Sequence, residues 1–397
     1  MEFNLFRFFI SGVKKEVLPD SRLWQLPLSG GNNRKSCDSD FTTGDYFLAA
    51  SVFLSKNKFS FLNTALNCVV DKSVQNTSSQ NKSTHDELIK IDQVVQVNIF
   101  LEKHGAFYHP LKIQVILKDR QTCYFVLNGA VSSQGLSLIQ DEYTLLSEIN
   151  QAYPKQYLPK IFGFDFIRTD RGRAGFFLGF WFENFKEFHV SDDNDCRQIS
   201  MWESDGSCNY IEIINALEIY KKISKILTYY YNLETFEQIL SWHHAAGDFI
   251  VKQENGRFSV KLITIRKYSR LTELGAGEDD QATFILPSLL LFFLNLTIKM
   301  RIDRLNGTGK LIMIEQSVID STIKGFLSVL DEKSTMYNYG DLRSAFIEFF
   351  LQFNIEQIRT IVENSVESNC SDPLEVSLIQ KNLKAHCKAL HSILKNI

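Results

Sequence analysis

The most constraining feature of this sequence is a change of hydrophobic periodicity about halfway along the chain. Between residues 93 and 182, short segments rich in β-branched and aromatic residues alternate with polar connections, which predicts strands. After about residue 185, apolar residues recur every three or four positions, as in Asn209–Tyr231, which predicts helices. A strand-rich region followed by a helical region predicts an α+β protein with two lobes.

The strand-rich region has a definite order of elements. Five strands are predicted, and one amphipathic helix, Leu138–Asn150, is inserted after the third. The strands cover Gln93–Leu101, Lys112–Lys118, Thr122–Ser132, Leu158–Phe164 and Gly175–Phe182. The helical region contains one predicted strand pair, Phe249–Lys252 and Ser259–Ile265, and helices follow again from about Ala282. Among these last helices, Gly340–Phe353 begins beside Asp341, a predicted N-cap or first-turn residue.

Three segments are predicted along the chain. Residues 1–90 form an N-terminal extension whose stretch from 71 to 86 carries a single apolar residue, Val74, and is the predicted linker. Residues 91–183 form the strand-rich lobe, and residues 184–397 form the helical lobe. Both arrangements of the extension stay open: it can pack on the strand-rich lobe or form its own unit.

Composition disfavours several classes of protein. The net charge is −3, so there is no basic excess with which to bind nucleic-acid phosphates. None of the seven cysteines lies two or three residues from another, which argues against a zinc site or a disulfide framework and favours the cytoplasm. The longest apolar run, Phe284–Ile298, contains Pro287 and Asn295, and it predicts a buried helix rather than a membrane span.

The most informative short segment is Ser241–Val251, which reads SWHHAAGDFIV. His243 and His244 are adjacent, and Asp248 precedes an apolar triplet. In an irregular loop, these side chains could bind a metal together. Alternatively, the histidines form hydrogen bonds to the core of the lobe and bind nothing.

The order of elements and three local matches resemble the protein-kinase-like superfamily, most closely its aminoglycoside- and choline-phosphotransferase branch. The resemblance covers about residues 93 to 350 and rests on the third strand with its helix, the segment around Asp248, and the strand end at Thr264. It implies a nucleotide such as ATP, with magnesium, bound in a cleft between two lobes.

This sequence departs from the family pattern at charged positions. The resemblance places Asn128 where the family has a strand Lys, and Glu142 as the helix Glu that would pair with it. It places His243 where the catalytic Asp stands and Thr264 where a magnesium-binding Asp stands. Asp248 takes the place of the metal-binding Asn and could still ligate magnesium. As a plain alternative, Glu142 is a solvated helix residue.

Two further groups of candidates follow from the same resemblance. Arg266 and Lys267 come directly after Thr264 and could bind the phosphates, or they are simply solvated. Trp181 and Glu183 occupy the place of the hinge that holds adenine in the family, or they help to pack the lobes together.

The leading hypothesis is a pseudokinase-like protein that binds a nucleotide or another phosphorylated ligand and has a regulatory or binding role. One alternative is an active transferase in which His243 or His244 is the base and Asp248 holds the metal. A second alternative is a protein–protein interaction module that binds no ligand.

Overall fold

The computed structural model describes residues 5–13, 15–28, 41–75, 91–102, 108–193, 196–202, 207–243, 247–271 and 282–397. The chain divides into two compact units, residues 1–183 and 184–397. The first unit is a largely antiparallel sheet with two helices, and the second is mainly helical. The α+β class predicted from the change of periodicity is therefore confirmed, and the element order is consistent with a two-lobed kinase-like fold.

The first unit contains the predicted order of three strands, one helix and two strands. Its strands are β1 (Phe6–Ile10), β2 (Val94–Leu101), β3 (Leu111–Leu117), β4 (Thr122–Ala130), β5 (Ile161–Thr169) and β6 (Gly172–Phe180), and its helices are α1 (Thr43–Gln75) and α2 (Ser133–Ala152). They form one sheet in the order β1-β2-β3-β4-β6-β5, in which β1 is parallel to β2 and the other neighbours are antiparallel. The five strands predicted between residues 93 and 182 are confirmed, with shifted ends.

The N-terminal segment packs on this sheet. Strand β1 extends the sheet at the edge of β2, and α1 contributes Phe47 and Phe53 to the same hydrophobic core as Phe125. The approach is close at Gly129 of β4, where a Cβ atom would stand 2.0 Å from the hydroxyl of Tyr46, so this position requires glycine. Residues 71–75 of the predicted linker belong to α1, and residues 76–86 lie outside the described residues.

The second unit begins with three strands in a region that was expected to be helical. The described strands of this unit are β7 (Lys186–Asp193), β8 (Cys196–Trp202), β9 (Cys208–Glu212), β10 (Gln238–Leu240), β11 (Phe249–Glu254), β12 (Arg257–Leu262), β13 (Lys267–Ser269), β14 (Ile302–Arg304) and β15 (Leu311–Met313), of which β11 and β12 are the predicted strand pair. Five of them form a sheet in the order β12-β11-β7-β8-β9. The expectation that the chain turns helical after residue 185 is wrong here, because buried Phe188, Val190, Ile199 and Met201 follow the two-residue period of strands.

Helices make up much of the second unit, as predicted, but β14 and β15 interrupt the region from about Ala282 that was expected to contain only helices. The helices are α3 (Ile213–Tyr229), α4 (Ile285–Lys299), α5 (Ser317–Tyr337), α6 (Leu342–Leu351), α7 (Ile355–Asn369) and α8 (Pro373–Lys395). Helix α3 starts later than predicted because β9 takes residues 208–212. The side chain of Asp341 accepts a hydrogen bond from the N–H of Ser344 (2.9 Å), which confirms it as the N-cap of α6.

The apolar run predicted to be a buried helix forms α4. Nine of its residues are buried, among them Leu289, Phe293 and Leu296. Within the described part of the chain, the stretch Ala282–Lys299 is the one helix that is long and apolar enough to cross a membrane, and 56% of it is buried inside the structure.

A buried lysine holds the end of α3. Lys333 of α5 is 1% exposed, and its ammonium group donates to the carbonyl oxygens of Tyr229 (3.0 Å) and Tyr231 (2.6 Å). The last carbonyl groups of a helix have no partner within the helix, so this cation satisfies acceptors at the end of α3 and just beyond it. Burial lowers the pKa of Lys333 to about 7.

Replacing Lys333 with Met is expected to lower the free energy of unfolding by about 2 kcal/mol, because two buried carbonyl groups lose their donor. Lys324→Met on the same helix is the control, since Lys324 is exposed and forms an exposed ion pair with Asp320. Its effect is expected to stay within about 0.5 kcal/mol. Urea unfolding of both variants measures the difference, and equal effects would contradict the role of Lys333.

Candidate functional site

In the first unit, the strand that carries Asn128 presents one apolar and one polar face. On the apolar face, Ile113 and Val115 of β3 and Phe125 and Leu127 of β4 are buried in the core. The opposite face carries the alternate residues of both strands. Its polar members, together with two from β2, are Gln96, Asn98, Lys112, Gln114, Tyr124 and Asn128, and we call them the polar face.

A chain of amide hydrogen bonds crosses three strands of the polar face. Gln96 donates to Asn98 (2.6 Å), Asn98 donates to Gln114 (2.8 Å), and Gln114 donates to the hydroxyl of Tyr124 (3.1 Å). Each amide uses its oxygen or nitrogen on a neighbour, so the side chains are held in fixed orientations. The polar face is therefore a preorganised surface.

Lys112 provides a cation on the polar face, which sequence reasoning overlooked. Its ammonium nitrogen lies 4.8 Å from the ring centre of Tyr124 and 5.2 Å from that of Trp181, so both rings make cation–π contacts with it. Trp181, a predicted hinge residue, directly follows β6, and exposed Glu183 lies two residues further on. The alternation Lys-Ile-Gln-Val in β3 could have identified this cation from the sequence, because it puts Lys112 on the same face as Gln114.

Glu142 lies on the core-facing side of α2. It is 3% exposed and belongs to a buried stripe with Leu136, Ile139, Leu146 and Ile149. The alternative that Glu142 is a solvated helix residue is therefore wrong. A carboxylate at such a position must be compensated by polar contacts, since burying a charge is costly.

In the second unit, Arg266 contacts residues at both ends of the loop before β11. Nη1 and Nη2 of Arg266 lie 2.6 Å from the two carboxylate oxygens of Asp248, which is itself 0% exposed. Nη1 also donates to the carbonyl oxygen of Ser241 (3.1 Å), and the N–H of His243 donates to Asp248 (2.7 Å). One hydrogen bond and one ion-pair contact to Asp248, with the hydrogen bond to Ser241, therefore join both ends of the loop to one guanidinium group.

The hairpin of β11 and β12 brings Thr264 to the same end as Asp248. Phe249 pairs with Leu262, and the N–H of Ile263 donates to the carbonyl oxygen of Asp248 (2.9 Å). Thr264 is half-buried and follows directly. Exposed Lys267 begins β13, where it pairs with Leu240.

The backbone of His243 contacts Asp248, and the residue is half-buried. Burial lowers the pKa of His243, while the negative charge of Glu375 offsets part of that shift. The imidazole is therefore neutral at pH 7, which is the state that a proton acceptor requires. His244, the second predicted histidine, lies outside the described residues.

The predicted residues divide between the two units. Asn128, Glu142, Trp181 and Glu183 belong to the first unit, and the remaining described candidates belong to the second. Within the second unit, the structure brings together Asp248, Arg266 and the backbone of His243.

The contacts around Asp248 do not favour a magnesium ion. Magnesium binds oxygen at about 2.1 Å and usually retains several waters. Here both carboxylate oxygens face a guanidinium group, and Asp248 has no exposed surface. Across the described ranges, no three His, Cys, Asp or Glu side chains are grouped so that they could hold a metal. Magnesium at Asp248 stays a prediction.

Comparisons with known proteins do not assign a function to this chain. No family model matches the chain, and no curated protein matches it. Among solved structures it is similar to the Drosophila melanogaster PAN3 pseudokinase, with 8% identity and a TM-score of 0.26 over 77% of this chain and 70% of that chain. At this TM-score the two backbones diverge too far for the match to assign a function.

Proposed function

We propose that this chain is a kinase-like protein that binds a nucleotide or another phosphorylated ligand and transfers no phosphoryl group. Within the protein-kinase-like superfamily, the aminoglycoside- and choline-phosphotransferase branch is the one that its element order resembles most. Its role is regulatory binding rather than catalysis.

The Arg266–Asp248 pair is the observation that carries this proposal. Phosphoryl transfer depends on charges placed around the reacting phosphate, chiefly magnesium ions and the carboxylates that hold them. Asp248 is the one acid between Ser241 and Asp248. Both of its carboxylate oxygens contact the guanidinium group of Arg266. Thr264 and Asn128, which stand where the family has charged residues, supply no charge. These contacts support binding without transfer.

The polar face supports the proposal that the chain binds a ligand. It offers fixed amide groups, the cation of Lys112 and the aromatic ring of Trp181. Ligand pockets commonly combine a few oriented polar groups with aromatic surface, and a nucleotide has both a planar base and an anionic phosphate. Within the second unit, the half-exposed guanidinium of Arg266 is by itself a group whose geometry matches phosphate.

ATP at a hundred times its dissociation constant is expected to stabilise the protein by about 2.7 kcal/mol, which raises the melting temperature by several degrees. A thermal-shift titration measures this, with adenosine as the control that lacks phosphate. No shift with any nucleotide would contradict ligand binding and favour the interaction-module alternative. Release or transfer of the γ-phosphoryl group would instead favour the active transferase with His243 as base.

A further inference from the structure

We infer that the phosphorylated ligand of this protein is bound without a divalent cation, because Arg266 takes the place that the cation would occupy at Asp248. This inference rests on the proposed function. Arg266 is the positive group that contacts phosphate, and Asp248 is the residue that positions it.

Three contacts occupy the carboxylate of Asp248. One guanidinium group contacts both carboxylate oxygens at 2.6 Å, and the N–H of His243 adds a third contact at 2.7 Å. A metal ion would have to displace the guanidinium and bring its own water molecules to a carboxylate with no exposed surface. The site is therefore built for an internal cation.

Separating Arg266 from Asp248 would be costly. Removing the partner of a buried charge is strongly destabilising, because the remaining charge is left uncompensated. Asp248 is that buried charge, and Arg266 forms an ion pair with it. Displacing Arg266 would therefore cost much of the binding free energy that a magnesium ion could contribute.

The guanidinium of Arg266 is also accessible to a ligand from the solvent. Its side chain is 43% exposed although Asp248 is buried, so the guanidinium bridges the interior and the solvent. Contacts to Asp248 and to the carbonyl of Ser241 fix the plane of the guanidinium. A fixed planar cation loses little conformational freedom when it binds an anion. Exposed Lys267, the next residue, adds the net positive charge that the neutral pair lacks.

The test compares ATP binding in excess EDTA with binding in excess magnesium, using isothermal titration calorimetry on the full chain. The expected affinities agree within about threefold, since a metal contributes nothing at this site. No binding under either condition would overturn the proposed function. Binding that requires magnesium would overturn this inference and leave the proposed function standing.

Two variants then identify the binding group. Asp248→Asn keeps the guanidinium, whereas the double variant Asp248→Asn/Arg266→Gln removes both charges together, so that no buried charge is left unpaired. The double variant is expected to bind ATP at least about tenfold more weakly than Asp248→Asn, because a charged hydrogen bond to phosphate is lost. Equal affinities would overturn the role of Arg266. Arg343→Gln is the control, since Arg343 forms an exposed pair with Asp331.

Discussion

Lowering the pH from 7 to 5 is expected to reduce the free energy of unfolding of the second unit by about 2 kcal/mol through His386 alone. Burial is the main cause, and with the positive charge of Arg301 it lowers the pKa of His386 to about 3. In the unfolded chain the imidazole titrates near pH 6.5, so the unfolded state binds more protons between these two values. Stability is therefore lost as the pH falls below about 6.5.

The hydrogen bonds of His386 show which form of the imidazole the fold requires. Nδ1 lies 3.2 Å from Nη1 of Arg301, which can only donate, so Nδ1 must accept. Nε2 then carries the proton and donates to the hydroxyl of Thr297 (3.3 Å), which itself donates to the carbonyl of Leu294 (3.0 Å). A second proton, on Nδ1, would make the imidazole positive and place it against the positive guanidinium group of Arg301.

Urea unfolding at pH 7 and pH 5 measures this effect in the full chain. His386→Gln keeps one donor and one acceptor but does not titrate, so its stability is expected to fall about 2 kcal/mol less than that of the wild type over this range. His391→Gln on the same helix is the control, because His391 is partly exposed. The lowered pKa of His243 acts in the same direction in all three proteins. Equal pH dependence in wild type and His386→Gln would contradict the prediction.

Gly325→Ala is expected to reduce the free energy of unfolding by about 2 to 3 kcal/mol, because α3 and α5 meet at this residue. A Cβ atom at Gly325 would stand 2.2 Å from the carbonyl oxygen of Lys221 and 2.9 Å from the side chain of Ser224. Ser224 also donates to the carbonyl of Thr322 (2.7 Å), which holds the two helices at this distance. The helices must separate to admit a methyl group.

The sign of this effect makes the experiment decisive. In an open helix position, replacing Gly with Ala raises stability by about 1 kcal/mol. Lys324→Ala is the control at the adjacent, exposed residue, and its effect is expected to stay within about 0.5 kcal/mol. Chemical denaturation of the two variants measures both values. A stabilised Gly325→Ala variant would show that the two backbones do not meet here.

Some features missed in the sequence left a readable signal. The two-residue alternation around Phe188 and Val190 is a strand pattern, although the surrounding region was expected to be helical. Likewise, the alternation that buries Ile113 and Val115 puts Lys112 on the polar face. Both follow from local periodicity, so they were available without a structure.

Other features had no local signal at all. Arg266 and Asp248 are 18 residues apart, and Lys333 lies 102 residues from Tyr231. Such pairs depend on how turns and helices bring distant segments together. A histidine in an apolar helix face, such as His386, gives no indication of whether a guanidinium will lie beside it.

The sequence by itself determined the α+β class, the order of three strands, one helix and two strands, and the helical character of much of the second unit. Side-chain periodicity carries this information because it is set by the geometry of each element. Only the tertiary structure decided that the N-terminal segment packs on the sheet and that Asp248 pairs with Arg266. Burial and charge pairing depend on neighbours distant in sequence, so residue types alone could propose candidates for the site but not their contacts.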